Sequence, residues 1–383
     1  MKMKRKDTKS LPVGQIYGIP LDDYIKITSN IFDREWYTNH GQLTSVLEQK
    51  VCKYLNVRNA IAVTNATLGL IIALEALGIR NKSIALPSFT FIASGLACLA
   101  GNNNLRFIDV SRQHGMLDID LLNESYATEA SALMAVNLWG GTADINEIDN
   151  WALSRGIPLV WDSSQAFGCQ YRGNRLGRNG SVEVFSFHAT KVLNSAEGGC
   201  ITTDNDELAH KMRNIRSSYG VTELKNVYRT CNGRFSEFQA ALALYSLAKI
   251  DERINANDTQ RMQYARILSQ IPGLKLVQIP SHTSKSNFSS LVIKVNHREY
   301  GASRDVLRKF LWKNNVFAKK YFSIPLHEQK QFLNRDLIRN PLPNTETLSQ
   351  SCISLPIGGL ITNDDIERVG DLLRNCPREI QYG

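Results

Sequence analysis

Two stretches, Trp161-Asp-Ser-Ser-Gln-Ala-Phe-Gly168 and Phe185-Ser-Phe-His-Ala-Thr-Lys191, decide how the rest of the chain is read. Each grows out of a short apolar run, Pro158–Trp161 and Val182–Phe187. Runs that are apolar on consecutive residues read as strands covered on both faces. Each run then gives way to polar residues, among them Asp162, Gln165, His188 and Lys191. In open α/β sheets, ligand sites gather at the carboxyl ends of strands. Glu197-Gly-Gly199 follows closely and supplies a backbone free of side-chain bulk.

Working outward, similar runs predict strands at Ala60–Val63, Ile84–Pro87, Leu105–Val110, Ala132–Asn137 and Cys200–Thr203. Helical periodicity lies between them, at Thr67–Leu77, Phe89–Ala100, Ile145–Arg155 and Asp206–Tyr219. Asp144 reads as an N-cap, and Gly156 and Gly220 as C-terminal stops. A long helix rich in Ala and Leu is predicted from Phe235 to about Ile254. Strands alternating with helices mean an α/β fold with a mainly parallel seven-stranded sheet covered by helices. After residue 255 the texture changes to a polar helix, a strand at Ser289–Val295, and helices at Ser303–Lys313 and Asn363–Leu373. This predicts a smaller C-terminal α+β domain. The expected division is residues 1–30 as a segment packing on the body, 31–254 as the large domain and 255–383 as the small one.

The composition fits that reading. The chain has 383 residues, 43% hydrophobic and 21% charged, as in an ordinary globular protein. No apolar run reaches the roughly 18 residues that span a bilayer, so no membrane partner is expected. The basic start, Met1 to Gly14, has no apolar stretch behind it and reads as a solvated tail rather than a secretory signal. Seven cysteines with no CxxC pair argue against a disulfide framework and a thiolate zinc site; a reducing cytoplasm is expected, and no metal. The net charge of +9 suits an anionic partner. The positive residues are scattered, without a basic stripe or a nucleic-acid-binding motif, which favours a phosphorylated small molecule over nucleic acid.

The polar residues at the strand ends suit one cofactor chemistry. Pyridoxal phosphate needs a lysine to carry it, an acid beside its pyridine nitrogen, and hydroxyl or N–H donors for its phosphate. An aromatic ring on its face also helps. Lys191, Asp162, Ser186, Thr67 and Phe91 are of the right kinds, and Thr67 falls at a helix N-terminus, where an oxyanion is favoured. Singly, each has a plainer reading: a solvated lysine, a turn aspartate, a core histidine at 188, a core phenylalanine at 91. Their joint order and spacing favour the chemical one.

With those residues in place, the chain resembles the DegT/StrS family of pyridoxal-phosphate-dependent sugar aminotransferases. The matching stretches are Asn65-Ala-Thr67, Pro87-Ser-Phe-Thr-Phe91, Asn137-Leu-Trp-Gly140, the two opening stretches, Glu197-Gly-Gly199 and Asn232-Gly-Arg234. Tyr321-Phe322 and Pro325-Leu-His327 extend the likeness almost to the end of the chain. The resemblance implies the type I fold of aspartate aminotransferase. It makes Lys191 the cofactor-linking lysine and Asp162 the partner of the pyridine nitrogen. It sets Gln165 beside the phenolic oxygen and Phe91 on the ring. Ala66, Thr67 and Ser186 become phosphate contacts, and His188 a further cofactor-binding residue. Asn232 would reach the cofactor phosphate of a neighbouring subunit, which implies a homodimer with composite sites. Lys319, Tyr321 and His327 become candidate substrate-binding residues, with Lys320 a further candidate.

The resemblance further implies transfer of an amino group from L-glutamate to a nucleotide-linked keto-sugar. The Ser186–Lys191 and Glu197–Gly199 wording is closest to members that aminate C4 of a dTDP-4-keto-6-deoxyhexose. Amination at C3, a sugar dehydratase and a non-catalytic regulator are the alternatives. Dehydratases of this kind replace the linking lysine with histidine, which Lys191 does not match. Asn137, Ser163, Ser164 and Ala66 depart from the common family pattern (His, Ala, Ala and Gly) without removing an acid or base.

Overall fold

In the computed structural model the described residues are 9–14, 17–217, 229–335 and 341–379. Residues 1–8 of the expected basic tail and the predicted helix stop at Gly220 lie outside them. The early chain supplies α1 (Leu21–Arg34) and α2 (Gln42–Leu55). The seven predicted strands then appear as β1 (Asn59–Val63), β2 (Ser83–Pro87), β3 (Asn104–Ile108), β4 (Ala132–Val136), β5 (Leu159–Asp162), β6 (Val182–Ser186) and β7 (Gly199–Thr203). They form one sheet in the order β1-β7-β6-β5-β4-β2-β3. Only β7 runs antiparallel to its neighbours, β1 and β6. The type I expectation of a mainly parallel seven-stranded sheet is met.

Alternation along the strands explains the two cores. In β1, Ala60 and Ala62 face one core, while Ile61 and Val63 face the other. Helices α3 (Ala66–Ala76), α4 (Ile92–Ala100) and α6 (Asp206–Arg216) cover the Ile61 side. Helices α2, α5 (Ile145–Ser154) and α7 (Glu237–Ala248) cover the other. With both faces covered, consecutive apolar residues are what the strands need.

Two local expectations are corrected. The long helix predicted over Phe235–Ile254 is two: α7 ends at Ala248, and α8 (Ile250–Leu268) starts afresh after Lys249, whose φ of −106° breaks the run. Ala and Leu content alone could not reveal that break. Asp144 stands at the N-cap position of α5, but its side chain makes no cap bond. It accepts instead from Tyr171 Oη at 2.5 Å and from Arg172 at 3.3 Å.

A third core gathers around the antiparallel strands β8 (Leu274–Leu276), β9 (Leu291–Val295) and β10 (Cys352–Leu355), with α9 (Arg304–Lys313) and α10 (Asn363–Arg374). Helix α8 joins the cores: Ile250 and Ile254 are buried in the first, Tyr264 and Ile267 in the third. A third correction concerns the solvated tail expected over Met1 to Gly14: in its described part Leu11 and Val13 are buried and Leu11–Pro12 pairs in parallel with Val316–Phe317, because these apolar residues find a place on the C-terminal part. Among the described residues, no helix is long and apolar enough to cross a membrane.

Candidate active site

The carboxyl edge of the sheet opens into a cleft of about 1340 Å³, its open mouth included. Many of its wall residues follow the ends of the sheet strands. Past β1, Asn65 caps α3 by accepting the Leu68 N–H at 2.9 Å. The N–H groups of Ala66 and Thr67, in the first turn, have no intrahelical acceptor and make an anion site with the helix dipole. Ser186 at the end of β6 also lines the cleft. Gly199 faces this cradle: a Cβ there would stand 2.9 Å from Ala66 N and 2.8 Å from the Phe185 carbonyl. The cradle therefore requires a residue without a side chain at the start of β7.

Asp162 ends β5 and is 4% exposed. One carboxylate oxygen accepts from Ser94 Oγ at 2.7 Å, the other from the Ser164 N–H at 3.1 Å. Ser94 in turn meets Thr90 Oγ1 at 3.1 Å. Gln165 lines the cleft nearby. Its carbonyl oxygen accepts the Trp139 N–H at 3.2 Å, which leaves its NH2 as the donor for a ligand. Phe91, at the entry to α4, presents an exposed ring to the cleft.

Lys191 sits in the tight β6–β7 connection. Its own N–H bonds His188 O at 2.8 Å, and across the loop Ala189 N bonds Ala196 O at 2.7 Å. The buried Val192 and Leu193 anchor the loop in the core, and Arg253 of α8 bonds Val192 O at 3.2 Å. The amine is thus delivered into the cleft on a fixed backbone. Burial lowers its pKa from 10.5 to about 8, against the opposing pull of the Asp162 carboxylate.

His188 is not the core histidine of its plainer reading. It lines the cleft half-exposed, with Nδ1 accepting from Thr190 N at 3.2 Å and Nε2 facing Glu197 at 3.7 Å. Lys319 and Tyr321 line the opposite wall. Lys320 instead pairs with Asp305 at 3.2 Å. Two expected residues are not brought to the cleft within one chain. Asn232 is exposed and accepts from Arg234 at 3.0 Å. His327 meets Ser88 Oγ at 2.6 Å, away from the lining.

Other lining residues were not foreseen. Val13 and Gly14 come from the stitched N-terminal segment, and Ser289 and Ser290 precede β9. Ser94 carried a signal, as a hydroxyl on the otherwise apolar α4 stretch Ile92–Ala100. The donors at the α3 N-terminus, the acid beside a cleft lysine, the Gln165 amide and the Phe91 ring fit pyridoxal phosphate as a set.

The DegT/DnrJ/EryC1/StrS aminotransferase family profile matches residues 22–374. The chain belongs to this family. It is therefore a pyridoxal-phosphate-dependent sugar aminotransferase, with the fold that the sheet order displays. A dTDP-4-amino-4,6-dideoxy-D-glucose transaminase of Shigella dysenteriae is 28% identical over 355 residues, covering 93% of this chain and 96% of that protein. The crystal structure of DesI, determined in the presence of its TDP-sugar product, superposes with a TM-score of 0.91 at 32% identity. That match covers 96% of this chain and 93% of DesI. DesV of S. venezuelae is similar at 27% identity and a TM-score of 0.84, over 92% of this chain and 94% of DesV.

Proposed function

We propose that this aminotransferase moves the amino group of L-glutamate to C4 of dTDP-4-keto-6-deoxy-D-glucose, making an amino sugar for a surface polysaccharide or a glycosylated metabolite. The observation that carries the reading is Lys191 on its fixed loop beside Asp162, in a cleft that also offers donors for a phosphate. The similarity to the Shigella transaminase and to DesI supports the sugar.

When bound, the cofactor supplies an electron sink for the charge left at a carbon that has lost a proton. The Asp162 carboxylate holds a proton at the pyridine nitrogen, and Ser94 and the Ser164 N–H keep it aimed. The Gln165 NH2 donates toward the phenolic oxygen. Ala66, Thr67 and Ser186 hold the phosphate, Phe91 covers the ring, and His188 borders it. The Lys191 amine, once free, takes the α-proton of glutamate and later returns a proton to the sugar carbon. With its pKa lowered to about 8 by burial, far more of the amine is neutral near pH 7.5 than in an ordinary lysine, which suits it to act as a base. Lys319 and Tyr321 face the sugar nucleotide.

In this reading residues 31–254 hold the cofactor, 255–383 close the substrate side, and the segment before them packs on the body. The enzyme works in the cytoplasm as a homodimer in which Asn232 serves the neighbouring subunit's site. An exposed aromatic group supports the dimer: Phe32, Trp36 and Tyr37 are 58%, 54% and 45% exposed, and the first and last pack on Phe238. The test is incubation with glutamate and a panel of nucleotide-linked 3- and 4-keto-sugars. Amination of the 4-keto compound, located by NMR, is the expected result. A product aminated at C3 alone rejects the regiochemistry.

A further inference from the structure

Behind the cleft lies a polar chain that none of the roles above uses. Glu183, the second residue of β6, is fully buried, as are Ser163 and Asn137. Asn137 follows β4 and forms part of the cleft wall. Its Nδ2 donates to Ser163 Oγ at 2.9 Å, and Ser163 Oγ donates to Glu183 Oε1 at 2.5 Å. The other end of the Asn137 amide is fixed too, since Oδ1 accepts the Ala143 N–H at 3.0 Å. Glu183 Oε2 accepts from the Gly177 N–H at 2.6 Å and from Asn179 Nδ2 at 2.9 Å.

An apolar strand residue would fill this site without burying a charge. A carboxylate buried among neutral donors is costly, and the structure retains one. We propose that Glu183 is a positioning residue for the cofactor cleft: acting through Ser163, it sets the orientation of the Asn137 amide on the cleft wall. The inference rests on pyridoxal phosphate occupying the cleft.

The hydrogen-bond directions make the device sensitive to one proton. Burial raises the Glu183 carboxyl to about 7. Oε2 is taken up by two donors, so an added proton belongs on Oε1, facing Ser163. The Ser163 hydroxyl must then accept from Glu183 instead of donating to it. Ser163 Oγ, with two lone pairs, then accepts from both Glu183 and the Asn137 N–H and loses the charge-assisted donation that anchored it, so its hold on the amide weakens. The charged and titratable neighbours do not compete for this role. Arg178 is held by Asp204 at 2.9 Å, and Arg175 lies over the Tyr54 ring near Asp251. Asp149 accepts from Trp161 Nε1 and the Gly180 N–H. Asp162 is held by Ser94 and Ser164, and the Cys169 thiol stays neutral because burial and the Glu183 charge push it up to about 12.

The probe is pyridoxamine 5′-phosphate, which makes no bond to Lys191. Its affinity for the apoenzyme is measured by calorimetry at pH 6.0 and 8.5 in the wild type, S163A and E183Q. Titration of Lys191 and of the ligand is common to all three and cancels between them. The wild type is expected to gain about three- to tenfold more affinity than S163A between the two pH values, the range of one hydrogen bond. E183Q, which presents a donor to Ser163 at every pH, should bind weakly at both. Identical pH dependence in the wild type and S163A overturns the proposal, and S163A decides alone if E183Q does not fold. If the wild type fails to bind the probe at either pH, the cofactor reading falls and takes the proposal with it.

Discussion

Lys191 meets two opposed demands. Catalysis wants its amine neutral near pH 7, and folding would rather not bury an ammonium at all. Its pKa falls from 10.5 in the open chain to about 8 in the folded protein, so the unfolded state binds more protons between those values. Stability from this residue therefore rises with pH from about 8 to about 10.5, and its burial is most unfavourable below 8. Lys191→Met should stabilise the apoenzyme at pH 7 by up to about 3 kcal/mol while abolishing turnover. The gain should shrink as melting is followed toward pH 10.5; a constant gain would mean that the proton is not its source. Asp162→Asn should leave the fold and cofactor binding in place, since an amide still accepts from Ser94. It should lower kcat by several orders of magnitude, because a neutral amide does not hold the pyridine proton by charge. Near wild-type kcat would remove Asp162 from that role. Both residues were legible in the sequence because each stands at the end of an apolar run. Ser94 was harder to read, because its partner Asp162 comes from a different element. Asn232 and His327 were legible only through the family resemblance, and neither reaches the cleft of its own chain.

At the scale of elements, the seven strands could be read because burial on both faces leaves an unbroken apolar signature. The boundary between α7 and α8 could not, because a helix that continues and one that restarts after Lys249 carry the same composition. The N-terminal contribution was also hidden: Val13 and Gly14 reach the cleft only through the pairing of Leu11–Pro12 with Val316–Phe317, which joins distant parts of the chain. The meeting of β7 with the α3 N-terminus offers an element-scale test. Gly199→Ala puts a methyl group against Ala66 N and the Phe185 carbonyl, both backbone atoms that cannot swing aside. The substitution should push the α3 N-terminus off the cradle and weaken pyridoxal-phosphate affinity at least about tenfold, the size of one lost charge-assisted contact. Unchanged affinity, read by fluorescence titration, would show that the phosphate is held elsewhere.

At the scale of the whole molecule, the proposed site draws on two copies of the chain. Within one chain Asn232 faces solvent, and the aromatic group of Phe32, Tyr37 and Phe238 is only partly covered. Lys191→Ala and Asn232→Asp should each be nearly inactive alone. Mixed, they should form heterodimers in which one site carries both defects and the other neither, restoring up to half the activity per heterodimer. No recovery despite proven heterodimers would place Asn232 outside the partner's site.

Nitrogen transfer through a cofactor carried on Lys191 can be isolated from the sugar by adding L-glutamate alone to the enzyme loaded with pyridoxal phosphate. One 2-oxoglutarate per site is expected, with conversion of the cofactor to pyridoxamine phosphate and no such product from Lys191→Ala. Release of no 2-oxoglutarate from the wild type, or equal release from Lys191→Ala, would contradict that transfer.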